Sequence, residues 1–348
     1  VLCLMLTLLV SGCINLGPDY QRPEVAVKSD WLETGDPLIS NEPATDPKWW
    51  SSTFQDPELD RLVEVALQEN LTLRSAGLRV LQSQQQLAIA IGNQYPQQQQ
   101  ASGSATREKS SDIIFNEYNL GLNLSWEVDF WGRFRRQVES ASAELDASVA
   151  NYDDALVLLV SQVAQNYILI RTYQKRVDVA EENLKLQAES LRIAQAKFDA
   201  GAVSELDVDQ AETLLNNTRA TVSSLETSLQ QFKNALAILL GNPPQEFNGL
   251  LTEKAGIPAT PANVALGMPQ DLIRRRPDVR SAERQLAAQS AQIGFAVTEL
   301  YPHLSIGGGI GTSAMETGDL FESVNETWSL FLSLIHISEP TRRRDSSR

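Results

Sequence analysis

The sequence predicts a mainly α-helical protein with added β-strands: a long antiparallel coiled-coil hairpin, strands of the membrane-spanning type, and an internal two-fold repeat. Three observations carry this. A seven-residue apolar spacing runs from Val149 to Leu239 with one short gap. Residues Tyr118 to Phe130 alternate apolar and polar without a slip. Leu73-Arg74-Ser75-Ala76 returns as Val279-Arg280-Ser281-Ala282, and Tyr95-Pro96 as Tyr301-Pro302, each 206 positions on.

The heptads come first. Val149, Leu156, Val163, Ile170, Val177, Leu184, Leu191 and Phe198 form one seam. Three residues on, Tyr152, Leu159, Asn166, Tyr173, Ala180, Gln187 and Ala194 form its companion. The pattern restarts at Val208, Leu215, Val222, Leu229 and Leu236, with Ala211, Thr218, Leu225, Phe232 and Leu239 beside it. A strict repeat of this length is coiled-coil packing. No proline interrupts Arg133 to Leu240, so the turn falls at Asp199-Ala200-Gly201-Ala202-Val203-Ser204. Gly201 suits a helix C-terminal cap, and Ser204 with Asp207 has the spacing of a capping box. The first arm is roughly 100 Å long at about 1.5 Å per residue. On this stretch alone, a spacer or dimerisation rod fits equally well.

Tyr118 to Phe130 places Tyr118, Leu120, Leu122, Leu124, Trp126, Val128 and Phe130 on one side and Asn119, Gly121, Asn123, Ser125, Glu127 and Asp129 on the other. A membrane strand needs about 9–11 residues, and aromatics at both ends suit an outer-membrane barrel. An amphipathic strand in a soluble sheet is the plainer alternative. Trp328, Leu330, Leu332 and Leu334 repeat the pattern 208 positions after Leu120, Leu122, Leu124 and Trp126. Gln97 to Thr106 is a weaker strand with no lipid-facing pattern. The repeat pairs Thr72 with Asp278 as helix caps. Asp56-Pro57-Glu58 opens a helix that continues to about Tyr95, with a break near Asn70-Leu71-Thr72.

At the N-terminus, Leu2 to Val10 is an apolar run too short to span a bilayer and of the size of a secretory h-region. Val10-Ser11-Gly12-Cys13 follows and resembles a bacterial lipobox, which makes Cys13 the acylated first residue of the mature chain. Ile14, rather than Asp, points to outer-membrane sorting. Cys3 falls in the signal, leaving no pair for a disulfide. The Pro-rich stretch from Gly17 to about Pro47 reads as a linker, and Trp49-Trp50 and Phe54 mark the start of packed structure.

Charge and chemistry narrow the function. The formal net charge of −15 argues against nucleic acid or an anionic lipid surface as main partner. The two histidines, His303 and His336, share no metal-ligand spacing, and no nucleophile elbow or phosphate-loop motif occurs. Gly307-Gly308-Gly309-Ile310-Gly311 lacks the lysine of a phosphate loop and lies in strand-like sequence. Asp207 and Asp209, like Arg274-Arg275-Arg276, read as solvated charge. Three Met give no support for a thioether copper path. No metal, no cofactor and no catalysis is the expectation.

Several motifs then occur in order: the lipobox, Gly17-Pro18-Asp19-Tyr20, Trp49-Trp50, Asp56-Pro57-Glu58-Leu59, Ser125-Trp126-Glu127-Val128-Asp129-Phe130-Trp131-Gly132-Arg133, and Arg275-Arg276-Pro277-Asp278-Val279-Arg280. From about Val10 to Leu334 the chain resembles the TolC-type outer-membrane efflux proteins, in the lipoprotein branch serving RND multidrug pumps. The resemblance implies a homotrimer, with a shared β-barrel of four strands per copy and an α-helical tunnel of two hairpins per copy. It implies the outer membrane of a Gram-negative bacterium, a large periplasmic part, and an inner-membrane RND-type pump as energy source. It places a periplasmic adaptor at the hairpin tip, here Asp199, Gly201, Ser204 and Leu206. Leu120, Leu122, Leu124 and Trp126 are expected to face membrane lipid. The expected function is a passive duct carrying drugs or other small molecules from periplasm to exterior. The alternative is a lipid-anchored coiled-coil tether without channel activity.

The expected organisation is a signal remnant at 1–12, a lipid-anchored linker at 13–55, a first repeat at 56–250, a linker at 251–270, a truncated second repeat at 271–334, and a non-native tail at 335–348. That tail, from Ile335-His336-Ile337-Ser338 onward, breaks both patterns where a second hairpin is expected.

Overall fold

Asp56 starts the first long helix as its spacing predicts. Its carboxylate accepts the backbone N–H groups of Glu58 at 2.9 Å and Leu59 at 3.3 Å, with Pro57 in the first turn. The structure, a computed structural model, describes residues 14–24, 39–40, 48–110, 113–244, 251, 256–259, 264–265 and 269–335. Cys13, the signal and the tail beyond Ile335 lie outside the described residues.

In chain order the elements are β1 (Ile39–Ser40), α1 (Trp49–Phe54), α2 (Pro57–Glu69), α3 (Leu71–Gly92), β2 (Gln98–Ser110), β3 (Ile113–Glu127), α4 (Arg133–Asp199), α5 (Glu205–Leu239), β4 (Val264–Ala265), α6 (Pro269–Arg275), α7 (Pro277–Thr298), β5 (His303–Ala314), a 3-10 turn (Ser323–Asn325) and β6 (Glu326–Ile335). The repeat is visible in these bounds. Helices α3 and α7 each have 22 residues, and both their ends lie 206 positions apart. Thr72 and Asp278 are the second residues of these helices, not their caps. The cap before α3 is Asn70, whose side-chain oxygen accepts the Leu73 N–H at 2.9 Å while its amide donates to the Leu239 carbonyl.

The chain divides into two compact units that cut across the repeat boundaries at 56–250 and 271–334. The first comprises residues 1–25, 79–150 and 278–348, the second 26–78 and 151–277. In the second unit, α1 and α2 pack on the middle of α4 and the end of α5. The core includes Trp50, Leu59, Leu62, Val63, Val160, Val163, Tyr167, Ile170 and Leu236. The most apolar stretch of α4, long enough by composition to cross a membrane, supplies much of this core. Past Gln174 the partly buried residues of α4 are Val177, Ala180, Leu184, Gln187, Leu191 and Ala194, all heptad positions. Those of α5 up to Leu225 are Val208, Ala211, Thr218 and Val222, and Leu215 and Leu225 on the same face are buried. One face of each arm is thus at least partly buried from Val177 to Ala194 and from Val208 to Leu225, as a two-helix coiled coil requires, while the seam residues Val149 and Phe198 are exposed.

In the first unit β2, β3, β5 and β6 form one antiparallel sheet in that order, with β2 and β6 at its edges. The predicted strand over Tyr118 to Phe130 is displaced: β3 begins at Ile113 and ends at Glu127. Phe130 keeps the alternation but leaves the ladder, and Val128 keeps one bond to it, its N–H donating to the Leu304 carbonyl at 2.9 Å; the strand ends here because Asp129 has another task. Its carboxylate accepts the Phe134 N–H at 3.1 Å and the Arg135 N–H at 3.0 Å, capping α4. Gly132 turns the chain at φ +80°. Strand β2 reaches Ser110, beyond the expected Thr106.

The expected linker over 13–55 is docked at both ends of its described parts. Trp50 is in the second unit's core. Residues 14–24 lie in the first unit, where Gly17 meets Gly294 backbone to backbone: a Cβ on Gly17 would come within 2.3 Å of the Gly294 Cα.

Candidate functional site

Residues directly opposite in an antiparallel pair share a face, so the register carries the pattern of β3 across the whole sheet. The row through Leu122 reads Ala101, Leu122, Ile310, Trp328. The next reads Gln99, Leu124, Gly308, Leu330, and Trp126 shares its row with Ile306 and Leu332. On the other face the rows are Ser102, Gly121, Gly311, Thr327, then Gln100, Asn123, Gly309, Ser329. Leu120, Leu122, Leu124 and Trp126 therefore share one face, and all are exposed, as are Trp328 at 82% and Leu330 at 76%. The weak sequence of β2 is explained: its members of the apolar rows are Gln99, Ala101 and Gly103, small or amphipathic at an edge. Such an expanse of bare apolar side chain is unsuited to water.

Where the sheet meets α4, five side chains at or beside element ends converge. Arg133 donates to Glu127 at 2.9 Å and pairs with Glu299 at 2.8 Å. His303 Nδ1 lies 3.0 Å from the same Glu127 carboxylate. Trp131 donates its indole N–H to the Pro302 carbonyl at 2.9 Å. These contacts join the β3–α4 junction of one repeat to the α7–β5 junction of the other.

The segment that follows Cys13 is held by Arg136, whose side chain is 1% exposed. It donates to the carbonyls of Leu16 (2.9 Å) and Gly17 (3.0 Å) and to the carboxylates of Asp19 (2.9 Å) and Glu139 (2.7 Å). Farther along, Arg22 donates to Glu283 at 2.7 Å. No sequence signal identified Arg136, since an arginine in a run of charge reads as solvated.

The same is true of Arg171 in the second unit, also 1% exposed. It donates to Glu58 and Gln174. Tyr167 beside it donates to Asp56 at 2.7 Å. Burial pushes the Tyr167 phenol well above its ordinary range, so it stays a neutral donor. The helix-starting Asp56 is thereby tied to the long helix.

At the hairpin turn, α4 closes in a Schellman motif. Gly201 at φ +73° donates its N–H to Phe198 (2.8 Å), and Ala202 donates to Lys197 (2.8 Å). Asp207 then accepts both the Ser204 N–H at 2.9 Å and its hydroxyl at 2.7 Å. The Ser204 hydroxyl, followed by its N–H, holds the Asp207 carboxyl below the ordinary value. Asp199 ends α4 and accepts from Gln195, and Leu206 in the first turn of α5 is 63% exposed. All four predicted tip residues thus lie in one exposed turn.

The sequence profile described as "Outer membrane efflux protein" matches residues 62–242 and 268–336. Nodulation protein T of Rhizobium leguminosarum bv. trifolii is 35% identical over 312 residues, 88% of this chain. This chain spans just under two thirds, 66%, of that protein. The toluene efflux pump outer membrane protein TtgI of Pseudomonas putida is 32% identical over 340 residues, 93% of this chain and 71% of its own length. Among solved structures, the outer-membrane channel OprN matches with a TM-score of 0.83 at 32% identity, covering 92% of this chain and 73% of OprN.

Proposed function

The chain belongs to the outer membrane efflux protein family, and from that membership we propose that it is the outer-membrane channel component of a tripartite efflux system. In this reading it is a passive duct for small molecules from periplasm to exterior, anchored through acylated Cys13. The observation that carries it is the sheet: four strands in register, apolar side chains bare on one face and Ser, Gly, Asn and Gln on the other. Lipid suits the first face and a water-filled lumen the second. Its edges, β2 and β6, pair with neighbouring copies, since an open edge is not stable in a bilayer. Three copies, each giving four strands, close the barrel.

Helix α4 has 67 residues, about 100 Å at ~1.5 Å per residue. It carries the turn at Asp199–Leu206 into the periplasm, where the turn docks an adaptor. The adaptor couples the duct to an inner-membrane RND-type pump, which supplies the energy. The family is one of transport proteins, so no catalytic role is assigned. Single-channel recording in planar bilayers tests the reading, using protein expressed from its own gene. Discrete conductance steps are expected. A lipid-anchored tether gives none, and their absence refutes the duct.

A further inference from the structure

Phe331 breaks the division of the sheet faces. It lies on β6 between Leu330 and Leu332 and is the one apolar side chain in the polar-face rows from Asn119 to Glu127. Its row reads Gln98, Ser125, Gly307, Phe331. The internal repeat makes it more anomalous, because the position 208 residues earlier is Asn123, which is opposite Gln100. In the second repeat, a phenyl ring opposite a glycine replaces that polar pair. The replacement is a matched one: a Cβ on Gly307 would come within 2.2 Å of the Phe331 Cζ and 2.7 Å of its Cε1. The ring lies with one face over the bare backbone of Gly307, an arrangement that covers a strand glycine. It remains 52% exposed. Nothing larger than glycine at 307 leaves room for it there.

The geometry points to Phe331 as a contact residue for the transported molecule: an aromatic shelf on an otherwise polar lumen wall. This rests on the duct reading, in which the polar face lines the lumen. Beside Phe331 on that face, Gly307 is covered by the ring itself and Gly309 by the Asn123 amide, whose Oδ1 would lie 2.4 Å from a Cβ there. The ring face turned away from Gly307 is the apolar surface a flat solute can stack on, with the Asn123 amide beside it. The chemical class it favours is an aromatic or apolar molecule, and among these a cation, which gains from the ring quadrupole. In a trimer the shelf occurs three times at one level of the barrel.

The test is ethidium, a planar aromatic cation, added to single channels of the protein expressed from its own gene. Block of the wild-type current is expected. Phe331→Ala and Phe331→Leu should weaken it about two- to fivefold, the scale of an exposed cation–π contact, while Phe331→Trp retains it. The leucine variant keeps an apolar side chain of similar bulk, so loss of block there is loss of the ring itself. Leu332→Ala, one residue on and on the opposite face, should leave block unchanged. Equal block in wild type and both ring-free variants overturns the shelf, and so does an equal loss in Leu332→Ala, which makes the effect structural. If wild type conducts but ethidium never blocks it, the shelf fails and the duct stands. If wild type does not conduct, both fail.

Discussion

Gly201 sits in the left-handed region at φ +73°, yet a Cβ built on it would meet nothing within 4 Å. Substitution there carries a backbone penalty and no steric one within the hairpin. That penalty is about 1–2 kcal/mol for an ordinary L-residue, enough to shift a local opening equilibrium by roughly 5–30-fold. It is nearly the same for alanine and for tryptophan. The two therefore differ mainly in the bulk presented beyond the turn, and asparagine, which tolerates this conformation, serves as the mild control. If the turn docks an adaptor, Gly201→Trp should abolish efflux while Gly201→Ala and Gly201→Asn retain most of it. All three should assemble and insert alike, because the buried seams of α4 and α5 stop short of the turn. Susceptibility to exported compounds in cells, with recovery of membrane-inserted oligomer as control, is the assay. Normal resistance with Gly201→Trp would refute docking at this turn. Equal failure of alanine and tryptophan would assign the effect to hairpin strain.

Four further outcomes follow from the geometry. Leu122→Arg puts a charge on the apolar face and should cost about 2–4 kcal/mol near the bilayer midplane, whereas Asn123→Arg next to it should be tolerated. Urea titration in lipid with equal losses for both would reverse or void the face assignment. Arg171→Ala takes the charged partner from Glu58, which keeps the Tyr167 hydroxyl at 3.4 Å, and should destabilise by about 3–5 kcal/mol; adding Glu58→Leu should recover part of this in calorimetry, and a fully additive double variant would contradict the pairing. The Asp207 carboxyl is held below its ordinary 3.8, so its cap on α5 is complete above that value and is lost as pH falls through the lower folded value; hydrogen exchange at Ser204 should rise in acid in wild type and be pH-independent, beyond the intrinsic rate, in Asp207→Asn. Cys13→Ala should abolish acyl labelling while protease protection of Leu16 and Gly17 persists, because Arg136 holds their carbonyls; retained labelling would move the anchor elsewhere.

The sequence alone determined the elements whose signal is a one-dimensional period. The coiled-coil hairpin was legible because a heptad is a property of one helix, and its seams became the partly buried face of both arms toward the turn, though Val149 and Phe198 are exposed and α4 also buries Val160 and Tyr167 outside the seams. The repeat was legible because its two copies keep their spacing without a gap, and α3 and α7 share it end to end. The turn could be read because Gly201, Ser204 and Asp207 act within a few residues of one another. Only the tertiary structure decided what depends on residues remote in the chain. The end of β3 was misread because Val128 and Phe130 continue the alternation while Asp129 turns to cap α4. Asn70 became the cap of α3 through a bond to Leu239, and Arg136 and Arg171 became buried anchors through partners far away in sequence. The two faces of the sheet, and Phe331 on the polar one, exist only through strand register. Register pairs Gly307 with Phe331 across a turn, and no pattern within either strand contains it.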